Sequence, residues 1–167
     1  MGAALTIRAT GRSDIAAVDA LLAASYPILL KTDYPPSVLV TALPLISRAQ
    51  PRLLTSGTYY VAERDGQVLG AGGWTGAAPG DGRAAAGTGH IRHVVTDHRA
   101  VRQGVGRALM AHILTQAQSA GLTRMTCQAT RTAVPFYVAM GFTVQGEIEV
   151  TLRPGITFPA VQMYLGF

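Results

Sequence analysis

The sequence predicts an α/β fold built on one mixed sheet, and two of its segments carry the prediction. Residues 58–63 and 67–74 are strand-like and are joined by Asp65-Gly66, a pair typical of a tight hairpin between antiparallel strands. Residues 90–96 instead lead through a glycine-bearing turn into a helical pattern over residues 105–120, which is typical of a crossover to a parallel strand. Since one chain contains both connections, we expect antiparallel and parallel pairs in the same sheet.

The segments before the hairpin predict one strand and two helices. Residues 5–9 alternate apolar and polar side chains, as a half-buried strand does. Ser13 is a suitable N-cap for a helix whose apolar face starts at Ile15. Pro27 and the Pro35-Pro36 pair are expected to break the chain before the second helix.

The segments after the hairpin also mix the two element types. Residues 76–89 are rich in glycine and alanine and predict a mobile loop. Beyond the crossover, the patterns predict a strand over 122–129, a short helix over 132–140, and two final strands over 142–150 and 158–165. The total is about seven strands and four helices without an internal repeat or linker, so residues 1–167 are expected to form a single domain.

Composition bounds the class of protein. The chain has 167 residues, 49% of them hydrophobic, which suits one domain with its own core. No apolar run reaches the roughly 20 residues of a membrane span, the first residues lack a basic and apolar leader, and Gly2 with Thr6 matches only a loose myristoylation pattern. We therefore expect no membrane partner. Cys127 is the one cysteine, which fits a reducing, cytoplasmic setting, and its mid-strand position predicts a core residue.

Charge is distributed unevenly along the chain. The net charge is +5, and no Asp or Glu occurs between Asp97 and Glu147. This acid-free stretch contains the arginines Arg99, Arg102, Arg107, Arg124 and Arg131. Such a stretch suits a polyanionic ligand. Nucleic acid is the weaker interpretation, because the basic residues are spread over several elements without a recognition motif or a series of stacking aromatics, and we expect no such partner.

The sequence Arg102-Gln103-Gly104-Val105-Gly106-Arg107 predicts a phosphate site. A strand, a short glycine turn and a helix start make a concave patch of backbone N–H groups at the positive end of the helix. Gly104 and Gly106 allow close approach, while Arg102 and Arg107 add charge. A dinucleotide fingerprint would need a third glycine where Leu109 stands and an acid about 20 residues further on. Another nucleotide and a structural turn are the remaining alternatives.

Two blocks resemble the GNAT superfamily of N-acetyltransferases. The first, residues 90–114, is similar to the strand, turn and helix that hold the pyrophosphate of acetyl-CoA in that family. The second, Ala133-Val134-Pro135-Phe136-Tyr137 followed by Gly141-Phe142, is similar to the family's alanine, Phe-Tyr and Gly-Phe block. The blocks occur in the family's order, and the similarity extends over residues 5–165. The hairpin end Gly72-Gly73-Trp74 also resembles a bacterial branch of the family.

The resemblance implies acetyl-CoA as co-substrate and assigns its contacts. The pyrophosphate would lie on residues 102–107. The central strands would splay apart, so that pantetheine pairs with the exposed edge at Val94, Val95 and Thr96. An N–H group there would also polarise the thioester carbonyl. The alternative is ordinary pairing of this edge with residues 122–129.

One position departs from the family's pattern. The turn usually opens with Gln or Arg three residues before the first glycine, and Val101 stands there in this sequence. Because backbone N–H groups do most of the phosphate binding, we expect the site to persist, with Arg99 or Arg102 supplying the missing charge.

Tyr137 is the candidate general acid. The resemblance places a tyrosine at this position beside the thioester sulfur, where it donates a proton to the departing thiolate of coenzyme A. A phenol with a pKa of about 10 and a thiol with a pKa of about 8.5 to 10 are closely matched for this transfer. The alternative is aromatic packing beneath the sheet, which is what we expect of Phe136.

His90 is the candidate base that removes a proton from the acceptor ammonium group. In the histone-acetylating branch of the family a carboxylate has this role, and counting back from the glycine turn puts His90 at that position. An imidazole with a pKa of about 6.5 suits the role, and Glu63, Glu147 and Glu149 are its rivals. His93 lies three positions further along a strand and faces the other side, so no metal site is expected.

The sequence therefore predicts an acetyl-CoA-dependent N-acetyltransferase in which an amine attacks the thioester directly in a ternary complex. The acceptor is a small-molecule or peptide amine framed by residues 26–51 and 76–89. The alternative is an acyl-CoA-binding sensor or interaction module without catalysis. Pairing of the apolar tail, residues 158–167, across a two-fold axis would give a homodimer.

Overall fold

The computed structural model describes residues 3–167, which form seven strands and five α-helices. Gly2, the residue that a myristoyl anchor would need, lies outside the described residues. The strands are β1 (Thr6–Ala9), β2 (Tyr59–Arg64), β3 (Gln67–Thr75), β4 (Thr88–Thr96), β5 (Arg124–Ala129), β6 (Thr143–Arg153) and β7 (Ile156–Gly166). The helices are α1 (Ile15–Leu30), α2 (Pro36–Ile46), α3 (Pro51–Leu54), α4 (Val105–Ser119) and α5 (Val134–Ala139).

The strands form one sheet in the order β1-β2-β3-β4-β5-β7-β6. Every neighbouring pair is antiparallel except β4 and β5, which are parallel and are joined by the crossover helix α4. The predicted mixed sheet is confirmed. β7 lies between β5 and β6 and pairs with both of them. The predicted pairing of residues 158–167 across a two-fold axis stays a prediction.

Helices cover the two faces of the sheet with separate cores. One face carries α1, α2 and α3, whose buried side chains pack against residues such as Tyr59 of β2. The other face carries α4 and α5, which pack against Met125 and Cys127 of β5. Because neighbouring residues of a strand point to opposite faces, Thr126 and Gln128 lie on the α1 face. The side chains that leave the sheet beside β5 on that face are therefore polar.

Helix α1 continues through Pro27, so the predicted break at this proline is wrong. Proline removes one backbone hydrogen bond from a helix, but Leu22, Tyr26 and Leu30 are buried on both sides of it and hold the helix against the sheet. The segment Arg12–Leu30 is long and apolar enough to cross a membrane, judged by length and composition alone. Its buried face packs in the core, as a core helix does.

An additional helix and the start of β4 also differ from the predictions. α3 is a single extra turn, too short for helical periodicity to reveal it. β4 begins at Thr88 rather than at residue 90, since the Arg124 side chain donates to the Thr88 hydroxyl at 2.6 Å and the pairing with β5 begins there. The glycine- and alanine-rich segment before it contains an antiparallel bridge between Ala77 and Ala84.

Asp14, rather than the predicted Ser13, organises the start of α1. Its carboxylate accepts a hydrogen bond from the Gly11 N–H at 2.8 Å and two from the Arg8 guanidinium at 2.8 and 2.9 Å. Arg8 also donates to the Glu63 carboxylate at 2.7 Å. The hydrogen bonds from Arg8 are the main reason that the pKa of Asp14 lies below its usual value. This network ties β1, β2 and the start of α1 together.

Replacing Asp14 with Asn is expected to lower the free energy of unfolding at pH 7 by about 1–3 kcal/mol, because a buried charge-assisted network loses its charge. A carboxyl whose pKa falls on folding stabilises the protein above its unfolded pKa of roughly 3.9, and this contribution is lost as the pH falls through the folded pKa. The difference between wild type and variant should therefore shrink below about pH 4 in denaturant titrations.

Asp65→Asn is the matched control, because Asp65 lies in an exposed turn with φ +54° that asparagine tolerates. An equal loss of stability in this control, or a loss in Asp14→Asn that does not change with pH, would contradict the assigned role of Asp14.

Candidate active site

The parallel pairing of β4 with β5 stops after three residue pairs. Residues 88–90 pair with residues 124–126, and beyond them the two strands diverge. β4 continues alongside β3 as far as Thr96, and β5 continues alongside β7 as far as Ala129. The predicted splay of the central strands is therefore present, and the alternative of continuous pairing between them is excluded.

A bulge in β4 shapes the edge of this gap. The register with β3 shifts here, and His93 has a left-handed backbone with φ +44°. Two buried tyrosines bind the carbonyl groups around the bulge: Tyr59 donates to the His93 carbonyl at 2.8 Å, and Tyr26 donates to the Val94 carbonyl at 3.3 Å. Since a bulge re-aims the backbone, these two bonds fix the direction in which the strand edge points.

The loop between α1 and α2 fixes the opposite wall of the gap. Tyr34 donates to the Pro159 carbonyl at 2.7 Å and accepts from the backbone N–H of Arg131 at 2.8 Å. Thr132 donates to the Asp33 carboxylate at 2.7 Å. These bonds hold the turn that leads from β5 into α5, and α5 carries Tyr137.

The gap contains a cavity of about 720 Å³. Most of the predicted site residues line it, namely Val94, Val95, Thr96, Arg102, Gly104, Gly106, Arg107 and Tyr137. Gln103 and Val105 do not. The exposed Gln103 side chain accepts from Arg64 at 3.4 Å, and the Val105 side chain is buried beneath the turn. Gln103 and Val105 would therefore contact a ligand through their backbone groups and not through their side chains.

The turn before α4 leaves the helix start without a side-chain cap. Gly104 is the N-cap residue with φ +81°, and Arg102 is also left-handed with φ +63°. A Cβ atom on Gly106 would lie 3.2 Å from the Thr96 hydroxyl and 3.3 Å from the Phe136 ring. Glycine at 106 therefore allows α4 to begin close to the end of β4 and to α5. The first N–H groups of the helix remain available for an anion.

Arg99 is not available to replace the charge missing at Val101. Its guanidinium donates to the buried Asp97 carboxylate at 3.0 and 3.2 Å. Arg102 lines the cavity beside Val101 and forms no ion pair within residues 3–167. Of the two expected substitutes, the geometry favours Arg102.

Tyr137 is buried in α5, between two aromatic rings. Phe136 and Phe142 each lie edge-on to it at 5.3 Å between ring centroids. Burial, followed by the neighbouring thiol of Cys127, raises the pKa of Tyr137 well above 10. The phenol is therefore protonated throughout the neutral range. Burial likewise raises the pKa of Cys127 to about 12, which fits a core residue and not a nucleophile.

His90 lies where β4 and β5 separate, but on the α1 face of the sheet. Its Nδ1 is 2.8 Å from the Thr126 hydroxyl. It does not line the large cavity and instead lines a second one of about 300 Å³. The other lining residues are Ala78, Pro79, Ile91, Thr126, Gln128, Gln145 and Gln162. Burial and then the nearby Arg92 lower the pKa of His90, so the ring is neutral at pH 7.

The rival bases lie elsewhere. Glu63 is bound to Arg8 near the β1 edge of the sheet, and Glu147 and Glu149 are exposed on the edge strand β6, lining neither cavity. His93 contacts the Gln50 amide at 2.9 Å, and burial lowers its pKa to about 4. In the part of the chain that the structure describes, no three potential metal ligands lie together.

Sequence reasoning missed Tyr26 and Tyr34, which shape the cleft. Tyr26 contacts a carbonyl 68 positions away, and Tyr34 contacts one 125 positions away, so no local pattern reports either bond. The expected break at Pro27 also placed Tyr26 at a helix end rather than on a buried face. The three glutamines of the smaller cavity come from β5, β6 and β7, and only the sheet order brings them together.

The sequence and the fold both match known acetyltransferases. The family model described as an acetyltransferase (GNAT) domain matches residues 40–165. A GCN5-related N-acetyltransferase from Rhodopseudomonas palustris is 19% identical, with a TM-score of 0.79 over 100% of this chain and 98% of that chain. PaiA N-acetyltransferase from Thermoplasma acidophilum, solved with coenzyme A, is 12% identical, with a TM-score of 0.74 over 98% of this chain and 99% of that chain.

YncA from Salmonella typhimurium, solved with acetyl-CoA, is 22% identical, with a TM-score of 0.66 over 98% of this chain and 94% of that chain. None of the curated proteins is similar enough in sequence to match. The likeness to these solved structures shows the fold, and the family model extends over most of the chain. The chain therefore belongs to the GNAT acetyltransferase family and is an acyltransferase.

Proposed function

We propose that the protein transfers an acetyl group from acetyl-CoA to an amine by direct attack in a ternary complex. The observation that carries the proposal is the cleft between β4 and β5, which brings an uncapped helix start, an exposed strand edge and a buried tyrosine to one cavity. Two neighbours of the same fold were solved with coenzyme A or acetyl-CoA, which supports the same cofactor here.

Different segments of the cleft would bind different parts of the cofactor. The pyrophosphate would lie on the turn 102–107, where backbone N–H groups at the start of α4 and the exposed Arg102 and Arg107 side chains favour an anion. Pantetheine would add to the edge of β4 at Val94–Thr96, as a peptide adds to a sheet edge. An N–H of this edge would stabilise the oxyanion that forms as the amine attacks.

Tyr137 would protonate the departing thiolate. Burial keeps its hydroxyl protonated through the neutral range. The raised pKa also makes the phenol a weaker acid than the expected match with the thiol, so the transfer would depend on close contact with the thiolate. Direct transfer also fits the chain's single cysteine, because the thiol of Cys127 is buried with a pKa of about 12 and is a poor nucleophile. Orientation of two bound substrates, rather than a covalent enzyme intermediate, would supply most of the rate.

His90 would accept the proton of the acceptor ammonium group. This role requires the tautomer in which Nδ1–H donates to the Thr126 hydroxyl, leaving the Nε2 lone pair for the proton. The acceptor would then enter from the smaller cavity, on the face of the sheet opposite α4 and α5. Small-molecule and peptide amines both remain candidate acceptors.

Val101 motivates a second candidate, an acyl-CoA sensor without catalysis, because the family's usual polar residue is replaced by a side chain that is 43% exposed and lines the cleft. Release of free thiol from acetyl-CoA across a panel of amines separates the two. A transferase releases thiol in proportion to acceptor, whereas a sensor binds acetyl-CoA and releases none above background.

Gly106→Val is expected to weaken acetyl-CoA binding about tenfold or more, since overpacking of a filled site costs about 1–3 kcal/mol. The added methyl groups would meet the Thr96 hydroxyl and the Phe136 ring. Calorimetric titration measures the affinity. Gly76→Val is the matched control because nothing lies within 4 Å of a Cβ atom there. Equal affinities in the two variants would remove this turn from the proposed site.

Tyr137→Phe is expected to lower kcat by about 10²-fold or more, as the loss of a general acid does, while the Kd for acetyl-CoA stays within about twofold. Tyr60→Phe is the control, since Tyr60 is buried against His112 outside both cavities. Steady-state kinetics at saturating acceptor measures kcat. An unchanged kcat in Tyr137→Phe would contradict the general-acid role and would leave Tyr137 with a role in aromatic packing alone.

His90→Gln is expected to lower kcat/KM about 10²-fold near pH 6 and to remove an acid limb from its pH profile. Because burial lowers the pKa of His90, the wild-type limb should fall below pH 6.5, with activity rising as the ring loses its proton. His112→Gln, at an imidazole packed on Tyr60, is the control. If the acid limb persists in His90→Gln, another group is the general base and the role proposed for His90 is wrong.

A further inference from the structure

We propose that the acceptor amine carries a carboxylate and that Arg92 binds it; this inference rests on the proposed acetyl transfer. Arg92 follows His90 by two positions on β4, so its side chain leaves the same face of the sheet. Residues two apart on a strand are separated by about 7 Å. The acceptor nitrogen at His90 and a carboxylate at Arg92 would therefore be only a few bonds apart, as they are in a free amino acid.

Neutral groups surround the Arg92 guanidinium. One Nη donates to the Thr75 hydroxyl at 3.2 Å, and the other donates to the Gln50 amide oxygen at 3.4 Å. Tyr59 is a further neighbour, and the nearby imidazoles of His90 and His93 have lowered pKa values and are neutral at pH 7. Each contact orients the planar guanidinium without neutralising its charge.

No carboxylate within residues 3–167 pairs with Arg92. Besides Arg92, the charged group that acts on His90 is Asp81, and its carboxylate lies 3.5 Å from Arg83. A cation withdrawn from water without a counter-ion is costly, and burial accordingly lowers the pKa of Arg92. A bound carboxylate would remove that cost.

Two other arginines, Arg8 and Arg99, differ from Arg92 because each of them binds a carboxylate of the protein. The Arg8 side chain is 46% exposed and yet binds both Asp14 and Glu63. Arg99 is exposed and binds Asp97 through two hydrogen bonds. Arg92 is the more buried cation and has no such partner in the described chain. Its fork of N–H groups matches a carboxylate bidentately, as a lysine would not.

The residues that line the smaller cavity beside His90 indicate the chemistry of the rest of the acceptor. Its polar side chains are Thr126, Gln128, Gln145 and Gln162, which donate and accept hydrogen bonds but carry no charge. Arg92 does not line this cavity but leaves the same face of the sheet as His90, two positions away. The site therefore fits a small amino acid with an uncharged body and does not fit a polyamine. An oligocationic acceptor would meet a like charge at Arg92.

The test is acetyl transfer to matched pairs of acceptors. L-Serine, L-glutamine and L-methionine are each compared with their α-amides, and tyramine and spermidine serve as amines without a carboxylate. We expect kcat/KM to favour the carboxylate member by about 10- to 100-fold, the range that a charge-assisted hydrogen bond supplies. In Arg92→Gln this preference should vanish through a rise in KM with kcat largely kept, and Arg92→Lys should keep part of it.

Arg12→Gln is the matched control, because Arg12 is exposed in the turn before α1 and lines neither cavity. Thermal unfolding and acetyl-CoA affinity of the Arg92 variants should match those of wild type, which separates loss of recognition from loss of folding. An equal preference in Arg92→Gln and wild type, or equal turnover of acids and amides, overturns the inference.

The failure of this inference is distinguishable from that of the proposed function. Transfer to tyramine or spermidine alone overturns the carboxylate role of Arg92 and leaves acetyl transfer intact. Absence of transfer to every amine, with acetyl-CoA still bound, overturns both and favours the acyl-CoA sensor.

Discussion

The early end of the β4–β5 pairing is the constraint on which the rest of the site depends. Because the two strands share only three residue pairs, each continues with one edge turned toward the gap. Backbone groups on such edges need partners, and Tyr26 and Tyr59 supply them for two carbonyl groups. The remaining edge, the uncapped start of α4 and the buried Tyr137 then face one cavity. If β4 and β5 paired along their whole length, the gap between their edges would be closed.

The distribution of charged side chains also distinguishes the surroundings of the gap from the rest of the structure. The carboxylates of Asp14, Glu63 and Asp97 are each bound by an arginine away from the gap. The arginines left without such partners in residues 3–167 include Arg102 at the cleft and Arg92 on the opposite face. Each face of the gap therefore has an arginine that binds no carboxylate of residues 3–167, one suited to a pyrophosphate and the other to the carboxylate that we propose.

Local patterns were sufficient to predict the sheet strands, the crossover helix and the glycine turn, since each depends on residues close in sequence. The predicted break at Pro27 failed because packing of Tyr26 and Leu30 outweighs one lost hydrogen bond. Most of the predicted cleft residues do come together. His90 was placed on the correct strand, but it lies outside the large cavity, at the last residue pair that β4 makes with β5 before the two strands separate. The role that we propose for Arg92 could not be predicted from the sequence, because the lack of a counter-ion is a property of the fold and not of any motif.

The interior position of β7 imposes an order on assembly. A nascent chain presents β1–β4 with α1 and α2 first, and these elements can pair as an antiparallel half-sheet before β5 is made. β5 then gains three residue pairs from β4 and must wait for β7 before its other edge is covered. Since β7 is made after β5, α5 and β6, this half of the sheet cannot be completed until all of them have been synthesised. The cleft wall that carries Tyr137 is thus expected to be the last to form during synthesis, and its half of the sheet the more exposed to chaperones.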